Sequence, residues 1–129
     1  MTTNITLYGI NNCDTVKKSI KWLIANQIPY EFYDFKKQPL TEALLTRFVQ
    51  LNDWDTLLNK RSTTYRNLSD DIKNNLTVEV AFAQVMAQPT LLKRPLLLIQ
   101  TSKLSDENTK EEQLFLGFKA EMYQRIFQK

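Results

Sequence analysis

The sequence predicts an α/β fold built on a mixed four-stranded sheet, with elements in the order βαβ, helices, ββα. Two patterns carry this expectation. At the amino end, residues 5–8 (ITLY) are β-branched and aromatic, residues 9–12 favour a turn, and residues 30–35 form a second β-rich run. Between those runs Val16, Ile20, Leu23 and Ile24 recur at helical spacing, and Pro29 stops the helix. A strand–helix–strand of this length implies a crossover joining parallel strands. Towards the carboxyl end, the apolar run 96–99 suits a strand buried on both faces, with Pro95 at its edge.

The middle of the chain reads as an all-helical insertion over residues 41–88. Thr41 is placed to cap a helix carrying Leu44, Leu45, Phe48 and Val49. Ser69 starts a short helix, and Thr77 precedes Val78, Ala81, Phe82, Val85 and Met86 at helical spacing. Residues 114–118 supply the strand that follows 96–99, and the polar stretch 101–112 between them reads as a mobile loop. The last helix puts Met122, Tyr123, Ile126 and Phe127 on one face. Tyr30, Phe32, Phe82, Phe115 and Phe118 are expected in the core.

With 129 residues, 43% of them hydrophobic and 24% charged, the chain is expected to fold as a single domain over 1–129 without staples. No basic leader or long apolar run is evident, so a cytoplasmic protein without a membrane segment is expected. One cysteine and no histidine argue against a metal site. The net charge of +3 comes from 17 basic residues scattered among 14 acidic ones instead of forming a block, which reads as a mildly basic surface, not a nucleic-acid site, and small anionic substrates fit it equally well.

The chemistry concentrates at Cys13, between the turn and the first helix. A thiol reacts as the thiolate, whose charge the first-turn amides of a helix stabilise. Lys17 and Lys18 add positive charge one turn later. No second cysteine exists, so an internal dithiol cycle is unavailable, and turnover requires an external thiol such as glutathione. An anion bound beside a thiolate calls for arginine, and Arg61, Arg66 and Arg94 are the candidates. Arg94 stands out because it precedes Pro95 at the head of a buried strand. The acids Asp14, Asp34, Asp53 and Asp55 show no pairing that suggests glycosidase or metal chemistry.

Residues 8–18 (YGINNCDTVKK) and 92–97 (LKRPLL), with 59–66 (NKRSTTYR) and 116–118 (LGF), resemble the arsenate reductase-like (ArsC) family, in particular its YffB-like branch. The resemblance runs essentially from end to end. It implies a thioredoxin-like sheet with a helical insert, a catalytic Cys13, oxyanion-binding Arg61 and Arg94, and a cis peptide before Pro95. Asn12, Asp14, Thr15 and Pro95 then shape the site. The implied activity is a glutathione-dependent thiol reductase with no bound cofactor, acting on a small anionic or disulfide substrate with glutathione, and glutaredoxin as a further partner. Gly9 stands where the family's arsenate reductases have a histidine, and no arginine lies between Arg94 and Arg125, so arsenate itself is not the expected substrate. The alternatives are an Spx-like regulator, whose family binds the RNA polymerase α subunit, and a non-catalytic binding module. Cys13-Asp14-Thr15-Val16 lacks the two-cysteine switch of such regulators.

Overall fold

The computed structural model describes residues 2–103 and 106–128. Its elements run β1 (Thr2–Gly9), α1 (Asp14–Ala25), β2 (Glu31–Asp34), α2 (Glu42–Leu51), α3 (Trp54–Leu57), α4 (Thr63–Arg66), α5 (Asp70–Asn74), α6 (Val78–Ala87), β3 (Leu96–Lys103), β4 (Asp106–Leu116) and α7 (Ala120–Phe127), with a 3-10 turn at Pro89–Leu91. They fall into two compact units, one made of residues 1–38 and 94–129 and the other of residues 39–93.

The first unit is the mixed sheet, in the order β2-β1-β3-β4. β1 pairs in parallel with β2 and antiparallel with β3, which pairs antiparallel with β4. Strand alternation sends Leu7, Leu97 and Ile99 to one face, where Val16 and Leu23 of α1 and Tyr123 of α7 close a buried core. Tyr30, Phe32, Phe115 and Phe118 pack against it, as do Met122, Ile126 and Phe127 of α7. Leu96 and Leu98 point to the other face and are also buried, as a continuous apolar run requires. Tyr123 is the hub: its hydroxyl shares a 2.7 Å hydrogen bond with Ser19 Oγ, and Trp22 and Phe118 meet its ring edge-to-face at 5.4 and 4.7 Å. Burial pushes its phenol up to about 12, against the opposing pull of the Ser19 bond.

One expectation needs correction. The polar stretch is no loop: β3 continues to Lys103 and β4 begins at Asp106, with Gln100 opposite Glu112 and Thr101 opposite Glu111. Residues 104–105 lie outside the described residues. A hairpin ladder satisfies backbone donors and acceptors whatever the side chains, so pairing overrides a polar composition. Gln100 Nε2 also donates to Glu112 Oε2 across the strands at 3.3 Å.

The second unit is helical. α2 packs against α3 and α6, and the buried residues of the three include Leu45 and Phe48 of α2, Leu57 of α3, and Ala81 and Val85 of α6. The segment leaving α3 is tied to the one before β3 by an isolated bridge, Leu58 to Leu92, with Asn59 N–H donating to the Leu91 carbonyl at 2.7 Å and Lys93 N–H to the Leu57 carbonyl at 2.8 Å. α3 and α4 were not expected from periodicity, being too short to show it.

Candidate functional site

The sheet unit brings four chain segments to one end. Gly9 ends β1 beside Asp34 at the end of β2, and Phe35 N–H donates to the Gly9 carbonyl at 2.9 Å. Tyr8 faces Leu96 at the start of β3, and Leu96 faces Leu116 at the end of β4. Gly117, in the left-handed region at φ 77°, donates its N–H to the Pro95 carbonyl at 2.9 Å. The loop 10–13, the turn after β2, the Arg94–Pro95 segment and the turn after β4 therefore surround the same edge.

Cys13 is the N-cap residue of α1, with extended backbone (φ −93°, ψ 125°) and no side-chain cap hydrogen bond. Its N–H donates to the Ile10 carbonyl at 3.3 Å, closing the loop, and its carbonyl accepts from Lys17 N–H at 2.9 Å, the first helical bond. The thiol is half-buried, free, and packed partly against the core. An N-cap side chain lies where the unsatisfied first-turn amides of the helix converge, and in α1 that position is held by sulfur. Asn12 is exposed in the turn, Asp14 is the exposed first residue of α1, and Thr15 is half-buried beside it. Lys17 and Lys18 are exposed on α1.

Gly9 is required by close approach. A Cβ there would meet Val16 Cγ2 at 2.8 Å, and Val16 is fully buried. The end of β1 thus packs directly on the first turns of α1, which leaves no room for a side chain four residues before the cysteine.

Arg94 is half-buried and precedes the buried Pro95 through a cis peptide, the isomer that the resemblance implied and that local sequence alone does not favour. It lies in the same unit as Cys13 and at the same end of the sheet. Arg61 and Arg66 belong to the helical unit. Arg61 N–H donates to Asn59 Oδ1 at 3.2 Å in the exposed turn before α4, and the Arg66 carbonyl, at the end of α4, accepts from Lys73 Nζ at 3.0 Å.

Beside the cysteine loop a cleft of about 430 Å³ is lined by Asn11, Phe32, Asp34, Lys37 and Gln38. Sequence reading set Asp34 aside because no acidic partner stands near it. What distinguishes it is burial: it is 6% exposed, and spacing carries no sign of that. Among the described residues no group of three or more potential ligating side chains could hold a metal ion, and no helix is long and apolar enough to cross a membrane.

A mixed β2-β1-β3-β4 sheet with a cysteine at the N-cap position of the helix after β1, and a cis-proline just before β3, defines a thioredoxin-like protein. The ArsC family model matches residues 8–126, and the chain belongs to that family. An uncharacterized protein of Haemophilus influenzae is 44% identical over 109 residues, covering 84% of this chain and 96% of its own length. The solved structure of a protein named YFFB is 33% identical, with a TM-score of 0.77, over 95% of this chain and 97% of that one. The global transcriptional regulator Spx of Listeria innocua is 25% identical over 122 residues, 93% of this chain and 92% of its own.

Proposed function

We propose that the protein is a glutathione-dependent thiol reductase in which Cys13 is the nucleophile. The observation that supports this best is the position of the chain's one cysteine at the N-cap of α1, at the sheet end where Arg94 and Pro95 enter β3. The Cys13 thiolate attacks the glutathione sulfur of a mixed disulfide, R–S–S–G. A Cys13–S–S–G bond forms, the S–S bond of the mixed disulfide breaks, and R–S⁻ leaves with the electron pair. A second glutathione thiolate then attacks the glutathione sulfur of the adduct, releasing oxidised glutathione and restoring Cys13. One free glutathione is consumed per turnover, its sulfur joining the glutathionyl sulfur that the substrate brought in, and this is the cycle open to a chain with one cysteine.

Arg94 is proposed to offset the negative charge of an anionic substrate near the thiolate, and Asn12, Asp14, Thr15 and Pro95 to shape the loop around it. The part assigned to Arg61 rests on the sequence pattern, and Arg61→Ala tests it. The proposed setting is the cytoplasm, where glutathione is plentiful and glutaredoxin is available as a further partner. The test is glutathione-dependent reduction of a glutathionylated peptide. Wild type is expected to turn over and Cys13→Ser to fall to the uncatalysed rate; equal rates for the two would remove the assignment.

The likeness to Spx favours a second reading, a regulator that binds RNA polymerase through its α subunit. The single cysteine argues against a two-cysteine switch of that kind. Recovery of polymerase on immobilised protein, with no turnover in the peptide assay, would reverse the order of the two.

A further inference from the structure

We propose that the cleft beside the cysteine loop is a subsite for the γ-glutamyl end of glutathione, with Asp34 receiving its ammonium group and Lys37 its carboxylate; this rests on the thiol-reductase reading above. The strongest sign is the state of Asp34. Its side chain is 6% exposed, yet among the described residues its carboxylate accepts a single hydrogen bond, from Lys36 N–H to Oδ1 at 2.9 Å, and faces no cation at ion-pair distance. A carboxylate offers about four lone-pair positions, and buried charge is costly unless it is paired. Asp34 therefore presents unused acceptor capacity to the cleft it lines.

The other lining residues fit the rest of an amino-acid group. Lys37 is exposed at the rim, its backbone fixed by donation to the Asp34 carbonyl at 2.9 Å, so a cation stands three residues from the buried anion. Phe32 gives an apolar wall for methylene carbons, and Asn11 and Gln38 give amides that donate and accept. The cleft is joined to the reacting centre by short, fixed links. Asn11 lies two residues before Cys13, and the bond from Phe35 N–H to the Gly9 carbonyl holds the end of β2 against the start of the loop.

Charge decides which end of the peptide enters. The glycyl end of glutathione carries a carboxylate alone, which Asp34 would repel. The γ-glutamyl end carries both an ammonium and a carboxylate, and only that end satisfies Asp34 and Lys37 together.

Binding is tested with S-methylglutathione, a thioether that cannot react, titrated calorimetrically into the full chain. Asp34→Asn keeps the side-chain oxygen that accepts from Lys36 N–H, so the turn is preserved while the charge is lost. The expected result is about a tenfold or greater loss of S-methylglutathione affinity in Asp34→Asn, with a loss in the same direction in Lys37→Gln. N-Acetyl-S-methylcysteinylglycine, which lacks the γ-glutamyl group and carries no ammonium, should bind wild type more weakly and be indifferent to Asp34→Asn. Absence of S-methylglutathione binding, equal binding of the two ligands, or an unchanged affinity in Asp34→Asn would overturn the subsite. Turnover separates the two ideas. Ligand discrimination without turnover removes the reductase reading and leaves the subsite, whereas turnover with an unchanged KM for glutathione in Asp34→Asn does the reverse.

Discussion

The helices of the two units begin in different ways. In the helical unit each of the five starts on a side chain that accepts a hydrogen bond from the amide three residues on: Thr41 from Leu44, Asp53 from Thr56, Ser62 from Tyr65, Ser69 from Ile72 and Thr77 from Val80. In the sheet unit α1 starts on Cys13 and α7 on Lys119, and neither makes a side-chain cap bond. Three of the capped helices have only four or five residues, too few for their own backbone ladders to outweigh the cost of nucleation. They need local caps. α1 has twelve residues and buries Val16, Ser19 and Leu23, so packing holds it without a side-chain cap, which leaves the cap position free for the chemistry proposed for Cys13.

If packing supports α1 and α7, the largest effect on the sheet unit should come from their hub. The folded state favours the neutral phenol of Tyr123, whose titration moves from 10.0 to about 12. Below about pH 10 both folded and unfolded chains keep the proton, and the stabilisation is fully present. Above that the unfolded chain ionises first, so stability falls by about 1.4 kcal/mol per pH unit, to a total of about 3 kcal/mol once the pH passes through the folded value. Urea melts at pH 9, 10 and 11 should show this slope in wild type and a shallower one in Tyr123→Phe. That variant should also lose about 1–3 kcal/mol at neutral pH, because it leaves the fully buried Ser19 hydroxyl without its partner.

Next in size is Gly9→Ala. The added methyl would press on Val16, a short, stiff, fully buried side chain, and the expected cost is about 1–3 kcal/mol by thermal or urea unfolding. A neutral result would mean that the contact between the end of β1 and α1 is loose.

The smallest effects fall on the caps themselves, and they should have opposite signs in the two units. Thr77→Ala should cost about 1 kcal/mol by removing the bond from Val80 N–H. Cys13→Ser should gain a few tenths of a kcal/mol or more, because serine is a good N-cap, while abolishing turnover. A variant that gains stability and loses activity is what a cap position given over to chemistry should yield.

The same contrast explains what could be read in the sequence. Thr41, Ser69 and Thr77 were legible as caps because each precedes an apolar pattern or an acidic first turn. Asp53 and Ser62 do the same work before helices too short to show a period. The βαβ start and the strand 96–99 were legible from β-branched and apolar runs, and the core face of α7 from its spacing. The polar hairpin arms were not, since their partner is a neighbouring backbone and not a hydrophobic face. At the site, Cys13 and Arg94 stood out because a lone thiol before a helix and an Arg-Pro pair are rare local patterns. Asp34 did not, because its significance lies in burial beside a loop more than twenty residues away. Gly9 looked like a turn residue, and its actual constraint is a distance to Val16.

The central claim is that Cys13 carries the glutathionyl group during turnover. Rapid quenching of the reaction with a glutathionylated peptide, followed by intact-mass analysis, tests it directly because the chain has only one cysteine. The account predicts one glutathionyl adduct on Cys13 that forms and decays at least as fast as steady-state turnover. An adduct that never appears, or that decays more slowly than product is made, would contradict it.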